Sequence, residues 1–344
     1  MSTTIKDIAL EAKVSVAAVS QVLHGGKGGT IRVSAARADH IRAVANKLNY
    51  VPNIVARNLR KGTTQNIGLV FENFGSISSG PLYYAYLFDG IASVLFANHY
   101  RLTILPEIDH LNVHKEFGNG QLDGVIWCKF VEEPQMTKLI ERAGIPVVTL
   151  NSPLADGPKN SCNIQCDNES GMEQTVDHLY KLGHRKIAFI REKREEDTPD
   201  LVARLSGFKK AMQKRGLPFS EEDILTWQFE ATEFPSWWNS QPGYTALAVW
   251  NEGQASRILR RALDAGVDIP GQLSVVGFDS TEFCDTTTPP LTAVNQPIRE
   301  MAQFAAKTLL SIISGTMPEE HSVTFPCTLD VRGSTIALTQ SRVR

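Results

Sequence analysis

Past residue 62 the chain alternates short continuous apolar runs with helical stretches, and this alternation restricts the possible folds most. The runs are Ile67 to Phe71, Leu102 to Leu105, Val125 to Cys128, Val147 to Leu150, Ile187 to Ile190, Ala246 to Trp250 and Val275 to Phe278. Between them lie amphipathic segments such as Leu87 to Ala97, Gln174 to Leu182, Leu205 to Lys214 and Gln254 to Ala265. A strand that is apolar on both sides must be covered on both faces, so the pattern predicts parallel sheets with helices on each side. Seven such units are more than one open sheet usually holds, and two sheets are expected. A closed eight-stranded barrel needs a similar length but leaves the beginning of the chain unexplained.

That beginning follows another pattern. Ile5, Ile8, Ala9 and Ala12 fall at i, i+3, i+4 and i+7, and Thr4 and Asp7 are spaced as a capping box, which predicts a first helix. The chain turns at Lys13 and Val14. Ser15 is placed to cap a second helix in which Val19, Val22 and Leu23 share one side while Ala17, Ser20, Gln21 and His24 point the other way. The outward face, small near its start and polar beyond, suits the floor of a DNA major groove. After a glycine-rich loop, Ser34 is expected to cap a third helix whose Ile41, Val44, Ala45 and Leu48 close a small three-helix core. Tyr50 to Asn53 then break the chain before a two-turn helix that ends at Gly62. So short a helix does not persist alone in water, and it is expected to form when DNA and a partner chain cover Val55 and Leu59.

Charge separates the two parts. Residues 1 to 62 hold ten Lys or Arg against three Asp or Glu, a charge of +7, whereas the remainder carries −9. A basic head on an acidic body favours a polyanion for the head and opposes nonspecific nucleic-acid binding by the body. No run of 18 apolar residues and no signal-peptide core occur, which predicts a cytoplasmic protein without a membrane partner. The five cysteines are odd in number and scattered, as expected of reduced thiols; Cys162 and Cys166 lack a second ligand pair nearby, so no metal site is expected. Phosphate loops, nucleophile elbows and zinc-protease motifs are missing, and the sequence predicts neither catalysis nor a cofactor. His184 reads as a cation at a helix end rather than a general base.

In open α/β sheets ligands bind beyond the carboxyl ends of the strands. Those ends hold Asn73 and Phe74, Asn151, Asn251 and Asp279, with Tyr83 and Tyr84 opening a helix after the first strand. Aromatic faces stack on a ring and amide or carboxylate groups bond hydroxyls, so two such walls would hold a sugar or a molecule the size of a nucleobase. Asp279 could instead cap a helix, and the tyrosines could be core aromatics. Trp237 and Trp238 read as wall or core residues.

The ordered phrases TIKDIA, VSxxxVS, NYVPNxxARxLR, IGLVF, DGVI, GIPVV, LGHRKIAFI, SVVGFD, PPLTAVNQP and VRGST are similar to those of the lactose-repressor (LacI/GalR) family of bacterial transcription regulators. The resemblance implies an α/β fold: an N-terminal three-helix helix-turn-helix DNA-binding head with a hinge helix, then a two-subdomain, periplasmic-binding-protein-like body with parallel sheets. The boundaries that follow are 1–52 for the head, 53–62 for the hinge helix, 63–165 with 296–325 for one subdomain and 166–295 with 326–344 for the other. The implied function is ligand-gated operator binding by a homodimer, with a palindromic double-stranded operator as the DNA partner. Val16, Ala17 and Gln21 would read bases, Thr4, Ser15 and Ser20 would contact phosphates, His24 would lie on the same face, and Asn53, Arg57 and Leu59 would belong to the hinge helix at the DNA. Arg204 matches the family's effector-gripping arginine, Asn251 and Asp279 its polar contacts, and Tyr83, Tyr84 and Phe229 its aromatic ones; Asn151 joins the expected effector contacts from its place at a strand's carboxyl end, and a solvated helix position remains open for Arg204. The effector is expected to be a monosaccharide or a derivative, with a purine as the alternative.

Three departures from the family pattern matter. Gln21 stands where many members have arginine, and glutamine matches adenine N6 and N7, so adenine is expected at the facing operator base. Lys13 replaces a common turn glycine, and a positive φ there would cost on the order of 1 kcal/mol. The Gly25 to Arg32 loop is longer than usual, which would either move the third helix or add phosphate contacts through Lys27 and Arg32. A sugar-binding transport protein would need export and have no use for a basic head, and a sugar-modifying enzyme would use Asp279 as base.

Overall fold

The computed structural model describes residues 3–24, 32–51, 62–71, 82–105, 108–109, 111–128, 134–154, 157–192, 197–227, 234–240 and 243–338. They divide into a unit of residues 1–65 and a unit of residues 66–344. In the first unit Thr4 opens helix α1 (Ile5–Glu11) through the capping box with Asp7 that the spacing predicts. Lys13 adopts φ 53°, so a residue with a Cβ stands in the left-handed region at the corner. Helix α2 (Val16–His24) starts where the Ala18 amide donates to Ser15 Oγ at 3.2 Å. Ser34 has the extended backbone of a cap before α3 (Ala35–Lys47) but makes no capping bond; the first turn there is exposed, and water can serve its amides. Ile8, Val19, Ile41 and Val44 bury the apolar faces of all three helices in one core. The predicted hinge helix over 53–62 and most of the Gly25 to Arg32 loop lie outside the described residues.

The second unit holds two six-stranded sheets. Strands β1 (Asn66–Phe71), β2 (Arg101–Leu105), β3 (Gly124–Cys128), β4 (Val147–Leu150), β5 (Ser161–Cys166) and β11 (Ser322–Phe325) form one, in the order β11-β5-β4-β3-β1-β2. Strands β6 (Ile187–Glu192), β7 (Ile224–Trp227), β8 (Ala246–Val249), β9 (Ser274–Asp279), β10 (Thr292–Asn295) and β12 (Thr328–Asp330) form the other, in the order β12-β10-β9-β8-β6-β7. Among the described residues every pairing is parallel except β10 with β12. The central strands are buried along nearly their whole length, as continuous apolar runs require.

Helices α4 (Tyr83–Ala97), α5 (Val113–Gly118), α6 (Pro134–Ala143) and α11 (Ile298–Ile313) belong with the first sheet; α7 (Asn168–Lys181), α8 (Pro199–Lys214), α9 (Phe234–Asn239) and α10 (Glu252–Asp264) belong with the second. Two glycines set how closely helices approach. A Cβ on Gly207 of α8 would lie 2.6 Å from the Glu169 backbone in α7, and one on Gly90 of α4 would lie 2.6 Å from the Arg299 carbonyl oxygen in α11. The chain passes from one sheet to the other after β5, after β10 and after β11, so three segments connect the two layers.

His184 is not the expected helix-end cation. It is 2% exposed, with Nδ1 2.9 Å from Thr245 Oγ1 and Nε2 3.1 Å from the Ile336 carbonyl, and burial pulls its imidazole pKa down. The ring thus ties the chain near its end to the second sheet. Among the described residues no helix is long and apolar enough to cross a membrane.

Candidate functional site

On the head, α2 turns Ala18 and Val19 inward and leaves Ser15, Val16 and Ala17 exposed, with Ser20 and Gln21 half-buried. The face predicted to read bases is therefore presented outward at its leading end. Two of the expected phosphate contacts are already engaged: the Thr4 hydroxyl donates to Asp7 Oδ2 at 2.8 Å, and Ser15 Oγ caps α2. Arg42 and Lys47 pair with Asp39 and Glu11, whereas Lys6, Lys13, Arg32 and Arg37 are exposed and form no ion pair among the described residues. The side chain of His24 and all of Asn53, Arg57 and Leu59 lie outside the described residues.

In the second unit the carboxyl ends of both sheets converge on one chain of hydrogen bonds. Asn151 follows β4 in a left-handed conformation, φ 52°, which asparagine tolerates better than most residues. Its amide nitrogen donates to the Tyr83 hydroxyl and to Gln296 Oε1, each at 3.0 Å, and its oxygen accepts from the Cys166 amide at 3.1 Å. Gln296 is there because β10 runs parallel to β9 with Asn295 beside Asp279, which leaves the next residue against the Asp279 carboxylate. Gln296 Nε2 donates to Asp279 Oδ1 at 2.6 Å. One uninterrupted path therefore runs from Tyr83 and Asn151 on the first sheet, through a connecting segment, to Asp279 on the second.

Arg204 completes the path. It is 3% exposed on α8, with Nε donating to Asn168 Oδ1 at 2.8 Å, one terminal nitrogen to the Trp250 carbonyl at 2.5 Å, and the other to Asp279 Oδ1 at 3.3 Å. Its guanidinium lies 3.7 Å over the Phe278 ring. Burial opposes the Arg204 charge, but Asp279 and Asp200 more than compensate and its pKa is raised. Burial pushes the Asp279 carboxyl up, against the pull of Arg204 and Gln296. Asp279 has φ 95° and Ser280 φ 37°, a strained turn placed where the carboxylate leaves the sheet.

The remaining site residues take different positions. Tyr83 and Tyr84 pack edge to face with centroids 5.1 Å apart, and Tyr84 meets Phe71 in the same way. Burial pushes the Tyr83 phenol pKa up, so it keeps its proton and can donate it. Asn251 caps α10, its Oδ1 accepting from the Gln254 amide at 2.7 Å, which leaves its side-chain nitrogen available. Asn151 is instead wholly engaged with protein partners and positions the others. Phe229, Asn73, Phe74 and the Trp237 side chain lie outside the described residues; Trp238 packs on the core of the second sheet. Gln296 and Asn168 were not foreseen. Gln296 follows β10, a strand that no apolar run marks, and nothing local in the sequence marks Asn168.

Comparison with known proteins agrees with this anatomy. Residues 4–53 match the model described as bacterial regulatory proteins, lacI family, and residues 176–335 match that of a periplasmic binding protein-like domain. Catabolite control protein A of Staphylococcus xylosus is 28% identical over 347 aligned residues, covering 97% of this chain and all of that protein. A lac repressor dimer bound to operator and an anti-inducer superposes with a TM-score of 0.81 at 24% identity, covering 98% of this chain and all of that one. A complex of the transcriptional regulator CelR with cellobiose gives 0.70 at 24% identity over 96% of this chain and 99% of that one.

Proposed function

We propose that this chain, whose residues 4–53 match the lacI family of bacterial regulatory proteins, is a DNA-binding transcriptional regulator rather than an enzyme, a repressor whose operator affinity is set by a sugar bound between its two sheets. The observation that supports this most is the path from Tyr83 through Asn151, Gln296 and Asp279 to Arg204. It bridges two layers that three chain segments and a shared hydrophobic core also join, so a ligand bonded to Tyr83 and Asp279 would compete with the path or complete it. Either change alters the relative orientation of the layers, which is how a cleft can act on distant DNA-binding elements.

At the DNA, Val16, Ala17 and Gln21 read bases in the major groove, and Lys6, Lys13, Arg32 and Arg37 supply phosphate contacts. Asn53, Arg57 and Leu59 act from the hinge segment, and a homodimer reads two inverted half-sites. A sugar is favoured over a purine because Asp279, Asn251 and Tyr83 offer both donors and acceptors beside aromatic rings, the mixture that hydroxyl groups need. Selection from random duplex DNA with the full-length protein tests the DNA half. An enriched inverted repeat is expected; enrichment of no sequence over nonspecific duplex would overturn it.

A further inference from the structure

The charge and bonding state of the cleft residues discriminate between classes of sugar. Arginine is the side chain that would ordinarily grip a phosphate or carboxylate, through its planar fork. Here each nitrogen of Arg204 is engaged from within: Nε donates to Asn168, one terminal nitrogen to the Trp250 carbonyl and the other to Asp279 at 3.3 Å, with the Asp200 carboxylate 3.8 Å away as a second counter-charge. The nearby Arg191 is held in the same way, by both oxygens of Asp197.

Helix N-termini are the other ready-made anion site. Three of them lie at the carboxyl edge of the second sheet, and each already carries carboxylates. Asp167 accepts from the Ser170 amide ahead of α7, with Glu169 in its first turn; Asp200 stands in the first turn of α8; and buried Glu252 stands in that of α10. Among the described residues the acceptors without a protein partner here are Asp279 Oδ2 and the rest of the Asp200 carboxylate, and the buried Gln254 side chain in the first turn of α10 leaves both its oxygen and its nitrogen unpaired. The Asn251 side-chain nitrogen and the Tyr83 hydroxyl proton are the donors beside them.

We infer that this cleft selects uncharged sugars and rejects their phosphate esters and sugar acids. A hydroxyl can donate to Asp279 and Asp200 while accepting from Asn251 or Tyr83. A phosphate or carboxylate group brings no proton to donate at neutral pH and sets its charge against two carboxylates, while the cations described beside them, Arg204 and Arg191, are already bonded. This inference rests on the carbohydrate reading of the cleft.

The test pairs each neutral sugar with its own charged derivatives: glucose with glucose 6-phosphate and glucuronate, ribose with ribose 5-phosphate, and fructose, xylose and cellobiose with theirs. Full-length protein is screened by thermal shift and titrated by calorimetry at fixed ionic strength. At least one neutral sugar should bind, with its anionic partners weaker by about a hundredfold or more. Asp200→Asn should narrow that gap by about tenfold, because one like charge is removed. A charged derivative that binds as tightly as its neutral parent would overturn the inference and leave the carbohydrate reading intact. A gap unchanged in Asp200→Asn would overturn its electrostatic basis. Binding of purines with no sugar of either kind would overturn both.

Discussion

Arg204→Met weighs the cleft network most directly. Methionine keeps an apolar stem against Phe278, so the loss is chiefly electrostatic. Asp279, 8% exposed, would retain Gln296 as a donor, while the Trp250 carbonyl and Asn168 Oδ1 would each lose the Arg204 donor. Breaking a buried ion pair by removing one partner costs about 3–5 kcal/mol. In a unit of this size each kcal/mol moves the melting temperature by roughly 2 °C, so a fall of about 6–10 °C is expected. Burial already raises the Asp279 carboxyl pKa, and without Arg204 it would rise further. The deficit should therefore be full at neutral pH and shrink as the pH falls and the carboxyl takes up a proton. Adding Asp279→Leu removes the stranded charge, and the double variant should recover most of the loss. The assay is urea denaturation of parent, both single variants and the double. A coupling below about 0.5 kcal/mol, the range of independent sites, would refute the reasoning.

Three further outcomes follow from particular residues. His184 is buried with a lowered pKa, so the unfolded chain takes up its proton first; its contribution is complete above pH ~6.5 and lost below it, by at most about 1.4 kcal/mol per pH unit. His184→Gln should flatten the melting temperature between pH ~5 and ~7, and an unchanged slope would count against this. Gly207→Ala sets a methyl group against the Glu169 backbone, which cannot swing aside, and should cost about 1–3 kcal/mol in urea denaturation; a neutral result would mean that α7 and α8 separate freely. Gln21 should face adenine in selected operators and Gln21→Arg should shift that base to guanine; an invariant guanine with the parent protein would sink the assignment.

What could be read from the sequence depended on whether the signal was local. The Thr4–Asp7 capping box, the outward leading end of α2 and the seven apolar runs depend on near neighbours, and each appears where expected. Strands β5, β7, β10, β11 and β12 were not foreseen, because they are short or mix polar residues into the run, as Ser161–Cys166 does. Sheet pairing defines them, and pairing is not written in any one segment. The Ser34 cap failed for a related reason: the residue type and backbone are right, but the hydroxyl makes no capping bond. In the site, family resemblance marked Arg204, whereas its partners Asn168 and Gln296 are 36 and 92 positions away and meet it or Asp279 only after the second sheet is built.

The most direct measurement is the operator affinity of the full-length protein, read by fluorescence anisotropy at fixed salt, while the sugar that raises its melting temperature is titrated in. The operator Kd should change by about 5- to 150-fold, and the same sugar should leave the affinity of Asp279→Ala unmoved. A sugar that occupies the cleft of the parent protein and leaves its operator Kd unchanged would contradict gating by the cleft.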